Sequence, residues 1–186
     1  MEAENRKRLS REDWIAAALE LMFEKGAGGV KVVVLAQRMG VTSGSFYWHF
    51  KKLQDLLDAV LDHWEHHLTD HIIRDAQAFT GPPPERIYKL MEQVIAEGAA
   101  EPDHAISVWS KTDDSVAQVF HRTVHRRFDF AAWMFAEAGF PKAEARTRGR
   151  IMVAYLMGES SAGLKADADW QDTLRAHWKV LVTSTA

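Results

Sequence analysis

The sequence predicts an all-α protein of about nine helices. Three observations lead there: apolar residues recur at helical spacing over most of the chain, all five prolines fall where those periodic segments break, and no stretch shows a convincing strand alternation. The only local conflict is Val30-Lys31-Val32-Val33-Val34, whose residue types favour a strand. Two regions are expected, an N-terminal three-helix unit over residues 1–52 and a larger helical body over residues 53–186.

The first helix is expected over residues 11–25. Ser10 and Asp13 have capping-box spacing, Ile15, Ala18, Leu19 and Met22 form the buried stripe, and Gly26 supplies the stop. Arg6, Lys7, Arg8 and Arg11 make a short basic arm that can follow a DNA backbone or enter a minor groove; a solvated terminus explains the same residues. The valine run leads directly into Leu35-Ala36 and Gly40, where only a helix makes the turn work, so a second helix is expected over residues 32–39. A third, short helix follows over residues 42–49, with Thr42 as its cap.

Residues 35–50 therefore read as a helix-turn-helix. Ala36 is small where the two helices cross, Gly40 makes the turn, and Val41, Phe46 and Phe50 pin the second helix to the first. Such a unit sets the front of its second helix into the DNA major groove. Short hydroxyls at Thr42, Ser43 and Ser45 and the missing side chain at Gly44 let the helix sit deep, and hydroxyls can donate to phosphate or base. Trp48 lies between two core phenylalanines and faces outward, which assigns it to packing on a sugar or a thymine methyl; a rim residue packed on the first helix is the alternative.

From Leu53 the pattern changes to longer amphipathic helices. Leu53, Leu57, Val60, Leu61, Trp64, Leu68 and Ile72 make one stripe, so a single unbroken helix is expected over residues 53–79. Gly81 and three prolines end it, and helices over residues 85–100 and 104–111 follow, separated at Pro102. Residues 115–138 are apolar on more than one side and need cover from several directions. The last two helices are expected over residues 142–165 and 168–183. Gly158, Ser161 and Ala162 on the first, with Trp170, Leu174, Trp178 and Leu181 on the second, suit a dimerisation surface; an intrachain core accounts for the same residues.

Trp64, Tyr88, Met91, Trp109, Phe120, Phe128, Trp133 and Tyr155 can line an apolar cavity suited to an aromatic or lipophilic molecule, although aromatic stripes at helical spacing also serve as plain core. His63, His67 and His71 recur every four residues, with His66 and Asp70 adjacent, and His121 and His125 repeat the interval. Imidazoles so spaced can share zinc or nickel, but nothing in the sequence completes a coordination shell, and no metal or other cofactor is assigned. No phosphate-cradling loop, nucleophile elbow or paired-carboxylate spacing points to an enzyme. A helical module that binds only protein would explain the body and leave Thr42 to Ser45 without a purpose.

Charge is segregated. Residues 1–53 carry nine Lys/Arg against six Asp/Glu and the remainder fourteen against twenty, a basic head on an acidic body that fits phosphate contact at one end. The absence of cysteine, of a signal segment and of any apolar run near 18 residues leads to the expectation of a cytoplasmic protein that does not engage membranes.

The order of elements, together with Leu35-Ala36, the run from Gly40 to Phe50 and Leu56-Leu57, resembles the TetR family of bacterial transcriptional regulators. The resemblance implies that Thr42, Ser43, Gly44 and Ser45 face the groove, with Tyr47, His49 and Lys51 or Lys52 on phosphates. Arg8, Lys31 and Trp48 complete the expected DNA contacts. Two departures stand out. Where many members carry Thr opening the second helix and a polar residue after it, this chain has Lys31, Val32, Val33 and Val34; the Lys commonly opening the fourth helix is Leu53 here, leaving Lys51 or Lys52 for that contact. A short helix discriminates little alone, so a homodimer holding two of them about 34 to 36 Å apart on a near-palindromic operator in double-stranded DNA is expected. The implied function is a repressor that a small apolar or aromatic effector, bound in the body, releases from DNA by acting through the fourth helix. A metal-responsive regulator using the histidines of that helix is the alternative.

Overall fold

Ser10 and Asp13 form the expected reciprocal cap: the Ser10 hydroxyl accepts from the Asp13 amide at 3.1 Å, and the Asp13 carboxylate accepts from the Ser10 amide at 2.7 Å. They open helix α1 (Arg11–Lys25), which Gly26 ends with φ of +70°, in the region that favours glycine. The computed structural model of the chain describes residues 9–183. Arg6, Lys7 and Arg8 of the expected basic arm lie outside the described residues. The chain divides into two compact units, Met1–His63 and Trp64–Ala186.

In the N-terminal unit, α1 is followed by a 3-10 turn (Ala27–Gly29), α2 (Val32–Arg38), α3 (Ser43–Phe46) and α4 (Leu53–Asp62). Val32, Val33 and Val34 are helical, as the turn geometry required, while Val30 and Lys31 are extended. Helix α1 packs against both α2 and α4, so its buried face is broader than one stripe: Trp14 and Leu21 join Ile15, Ala18 and Met22 in the core, and Leu19 is only half-buried. Because α4 packs on α1, it belongs to this unit, and the division falls after α4 rather than before it.

The second unit begins with a difference from expectation. Instead of one unbroken helix to residue 79, a π-helical segment (His63–Thr69) precedes α5 (Asp70–Ala78). Side chains five residues apart in an α-helix point about 140° away from one another, whereas the wider π turn stacks them. Trp64 and Thr69 are thereby both buried on one face, and the Thr69 hydroxyl donates to the Trp64 carbonyl at 3.2 Å.

Helices α6 (Pro83–Glu97), α7 (Glu101–Trp109), α8 (Asp114–Glu137), α9 (Lys142–Ala162) and α10 (Trp170–Val182) complete the body. Pro83, Pro84 and Pro102 occupy first helical turns rather than breaks, where a missing amide hydrogen costs nothing. One core joins α5, α6, α8, α9 and α10, with Ile87, Met91, Met134, Phe135 and Leu174 at its centre. Arg148 of α9 holds the end of α10, its guanidinium donating to the carbonyls of Leu181 and of Thr183, the latter at 3.0 Å.

Helices α8 and α9 approach each other closely at Gly149. A Cβ on Gly149 would lie 2.7 Å from the Ala132 backbone nitrogen and 2.9 Å from the Ala131 carbonyl carbon, so only glycine fits without separating the helices. Gly158, on the same helix, has open space around it. Gly149→Ala should lower stability by about 1–3 kcal/mol through overpacking. Gly158→Ala should raise it by about 0.5–1 kcal/mol through helix propensity. Urea unfolding midpoints of the two variants decide both signs.

Candidate functional site

The four residues of α3 are too few to hold a helix by themselves, so tertiary anchors fix it. Phe46 is fully buried, edge-on to the Trp14 ring at 5.4 Å and stacked on Phe50 at 5.4 Å. Gly40 turns the chain with φ of +68°, and the Val41 amide donates to the Ala36 carbonyl at 2.9 Å. The rest of the segment faces outward: Thr42 and Gly44 are exposed, Ser43, Ser45 and His49 half-buried, and Tyr47 and Trp48 exposed.

Five of these residues converge. Thr42, Gly44, Ser45, Trp48 and His49, with Leu9, line one concavity on the face of α3. The Thr42 hydroxyl caps nothing, contrary to expectation, and is left available to an outside partner. Trp48 is 82% exposed, which does not fit a rim residue packed on α1. Residues 47–49 form turns rather than a continued helix, so Tyr47 and His49 leave α3 on a tightened backbone.

The basic residues divide into committed and exposed. Arg38 ties α2 to α1 through Glu20 at 3.2 Å and Glu24 at 2.8 Å, and this guanidinium holds the Glu24 carboxyl below its usual range. Arg11 lies over the Phe50 ring at 5.2 Å. Lys31, Lys51 and Lys52 expose their side chains, while the Lys51 and Lys52 amides donate to Asp55 at 3.1 and 3.2 Å and so seat the start of α4. Val33, 67% exposed, gives α2 an apolar outer surface.

In the body the structure assembles polar residues that periodicity did not single out. Asp103, 1% exposed, accepts from the Trp64 indole at 2.6 Å and from Arg127 at 2.7 Å. Arg127 also donates twice to the Thr69 hydroxyl, at 3.1 and 2.7 Å, and lies over the Trp64 ring at 5.0 Å. Beside this group, Glu65 is gripped by two parallel hydrogen bonds from Arg122 at 2.9 and 2.8 Å, and Arg126 reaches the Glu65 carbonyl and the Asp70 carboxylate. A buried glutamate in a helix of otherwise exposed charges was the one sequence signal, and it is visible only once the helix face is known.

Thr69, Asp103 and Arg127 form the polar part of a cavity of about 60 Å³ whose other walls are apolar, among them Ile72, Leu156 and three methionines. None of the eight residues expected to line a ligand site borders it. Trp64 is buried and stacked on Phe120 at 5.8 Å, Tyr88 and Met91 fill the core, and Trp109 is buried. Phe128 lies under Arg150 and Trp133 under Arg86. Tyr155 bonds to His177 at 2.8 Å, and burial pushes its hydroxyl up to about 12.

The expected dimer surface separates into two sets. Leu174, Trp178 and Leu181 are buried within the chain, Trp178 donating to the Pro84 carbonyl at 2.9 Å, so they serve the intrachain core. Gly158, Ser161 and Ala162 are exposed, as is Ile151 earlier on α9, and Trp170 is half-buried. Among the described residues no three His, Cys, Asp or Glu side chains are placed to hold a metal ion; His71 pairs with Asp75 and Glu97, and His66 with Asp70. Among the described residues no helix is long and apolar enough to cross a membrane.

The comparisons with known proteins agree with this geometry. Residues 15–60 match the family model described as bacterial regulatory proteins, tetR family. The tetracycline repressor protein class D of Escherichia coli is 47% identical over 53 residues, 28% of this chain and 24% of that protein. The HTH-type transcriptional regulator TtgR of Pseudomonas putida is 32% identical over 89 residues, 47% of this chain and 42% of that protein. The matched segment thus spans about a quarter to under a half of the length of these relatives. In fold, the chain is similar to a TetR transcriptional regulator from Legionella pneumophila, with a TM-score of 0.74 at 12% identity over 98% of this chain and 99% of that one. It is also similar to the regulator FadR of Bacillus subtilis in complex with stearoyl-CoA, with a TM-score of 0.67 at 14% identity over 95% and 100%.

The grip of Arg122 holds the Glu65 carboxyl below its ordinary range. A depressed carboxylate stabilises the fold above its unfolded pKa, and that contribution is lost as pH falls through the folded value. Wild-type stability should therefore fall faster than that of Glu65→Gln as pH is lowered below about 4.3. At neutral pH the variant should be weaker by about 1 kcal/mol, a modest figure because water screens exposed Arg122. Urea titrations across pH measure both.

Proposed function

We propose that the chain, whose residues 15–60 match the model of the tetR family of bacterial regulatory proteins, is a homodimeric transcriptional repressor of that family released from its operator by a small molecule. The observation that carries the reading is the face of α3. The four-residue helix anchored by buried Phe46, together with the turn that follows it, presents hydroxyls, a glycine and two aromatic rings on one stretch of chain. Thr42, Ser43, Gly44 and Ser45 meet base edges and nearby phosphates, Trp48 packs on sugar or a thymine methyl, and Tyr47 and His49 bond to phosphate. Lys31, Lys51 and Lys52 supply the cationic contacts, with Arg8 following the backbone.

Each protomer reads one half-site, so pairing is part of the mechanism. The outward residues of α9, Ile151, Gly158, Ser161 and Ala162, and Val180 of α10 supply the partner surface, being apolar or small and exposed. The body holds the effector, which is apolar or aromatic, and DNA affinity falls by no more than the effector's preference for the released conformation. The protein works in the cytoplasm, where its operator is.

Selection of bound sequences from a random DNA pool should return a two-fold-symmetric consensus; an asymmetric one would remove the dimer reading. Trp48→Ala should leave the unfolding midpoint unchanged, because the ring is solvent-exposed, and weaken binding to the selected site by about 1–3 kcal/mol. Lys51→Ala with Lys52→Ala should lower the slope of log affinity against log salt by about one per lysine that meets a phosphate. An unchanged slope would displace both lysines from the interface.

A further inference from the structure

We propose that the cavity beside Arg127 binds a neutral, slender apolar molecule carrying one hydrogen-bond acceptor, and that Asp103 makes the site selective against carboxylates. The inference rests on the reading of the body as the effector-binding part and deepens it by naming the ligand class. Its walls are apolar, and its polar groups are confined to Thr69, Asp103 and Arg127. The Thr69 hydroxyl is used up, accepting from Arg127 and donating to Trp64. Each Asp103 oxygen already accepts one hydrogen bond, Oδ1 from Trp64 and Oδ2 from Arg127.

Arg127 is different. Three of its guanidinium hydrogens serve Thr69 and Asp103, out of the five such a group carries, which leaves one donor on each terminal nitrogen. Those donors call for an acceptor on the ligand. They do not call for an anion, because the Asp103 carboxylate at 2.7 Å already balances the guanidinium charge inside an apolar surround. A ligand carboxylate would meet Asp103 as a like charge at short range, with little water to screen it. A ketone, ester or amide oxygen takes the free donors without that repulsion.

The volume adds a second element. About 60 Å³ holds water-sized groups, whereas a cavity of about 150 Å³ takes a benzene ring, so the ligand must enlarge the space it enters. Met134, Met152 and Met157 line it, and unbranched thioether side chains re-pack at low cost. The site is thus small at rest and enlarged by its occupant.

Two probes with the same pentyl chain separate the alternatives: 2-heptanone and hexanoate, titrated calorimetrically into the full chain at neutral pH. The ketone is expected to bind at least about tenfold more tightly than the acid. Asp103→Asn, which leaves the Arg127 charge unbalanced, is expected to reverse that order. Leu156→Phe, which fills the cavity without touching the polar group, is expected to abolish binding of both while the variant unfolds cooperatively. Equal affinities, a preference of the wild type for hexanoate, wild-type binding by Leu156→Phe, or no binding of either probe would each overturn the proposal, whether or not Asp103→Asn folds. Adding 2-heptanone to the operator complex keeps the two readings apart. If it binds the protein as expected and DNA affinity is unchanged, the effector role fails and the site stands; if neither probe binds, the site fails and the DNA-binding reading is untouched.

Discussion

A carboxylate with 1% of its surface exposed can exist inside a protein only if its charge is met, and the pairing of Asp103 with Arg127 is the constraint on which the body depends. Removing one partner of such a pair typically costs about 3–5 kcal/mol, a large part of the net stability of a domain. Satisfying it joins three elements at one point: Asp103 comes from α7, Arg127 from α8, and Trp64 and Thr69 from the π segment. The extra residue in that segment is what allows Trp64 and Thr69 to arrive on one face. The irregular helix and the buried charge are therefore one feature, each requiring the other.

The N-terminal unit solves a different problem, that of keeping a one-turn helix in place while leaving most of its surface bare. It does so by alternation. Phe46 and Phe50 point inward against Trp14 and Arg11, and the residues between and before them point out. An anchor this small works because Phe46 meets the rings of Trp14, Tyr47 and Phe50, so edge and stacking contacts fix its orientation as well as its depth.

Local features were legible in the sequence and distant ones were not. The Ser10–Asp13 cap, the Gly26 stop and the helical state of Val32 to Val34 depend on neighbours within a few residues, and each formed as expected. The π segment depends on Asp103 and Arg127, far along the chain, so its own stripe of Leu57, Val60, Leu61, Trp64 and Leu68 reads as uninterrupted α-helix. The same holds for the cavity. Large aromatic side chains were the natural candidates for its walls, but large rings fill space, and the void opens where alanine, leucine and flexible methionine meet instead. The face of α3 was legible because core and exterior alternate within nine residues. The roles of Arg38, which ties α2 to α1, and of Arg148, which closes the end of α10, needed the tertiary structure.

Gly149 has one more consequence. With the α8 backbone so close beneath it, neither helix can slide along the other, since any shift would bring a neighbouring side chain of α9 onto Ala131 or Ala132. Helices α8 and α9 therefore behave as a single stiff beam. Whatever deformation a guest imposes on the body must be taken up by the elements that lean on this beam, the π segment, α6 and α7, whose contacts with it run through side chains that can turn.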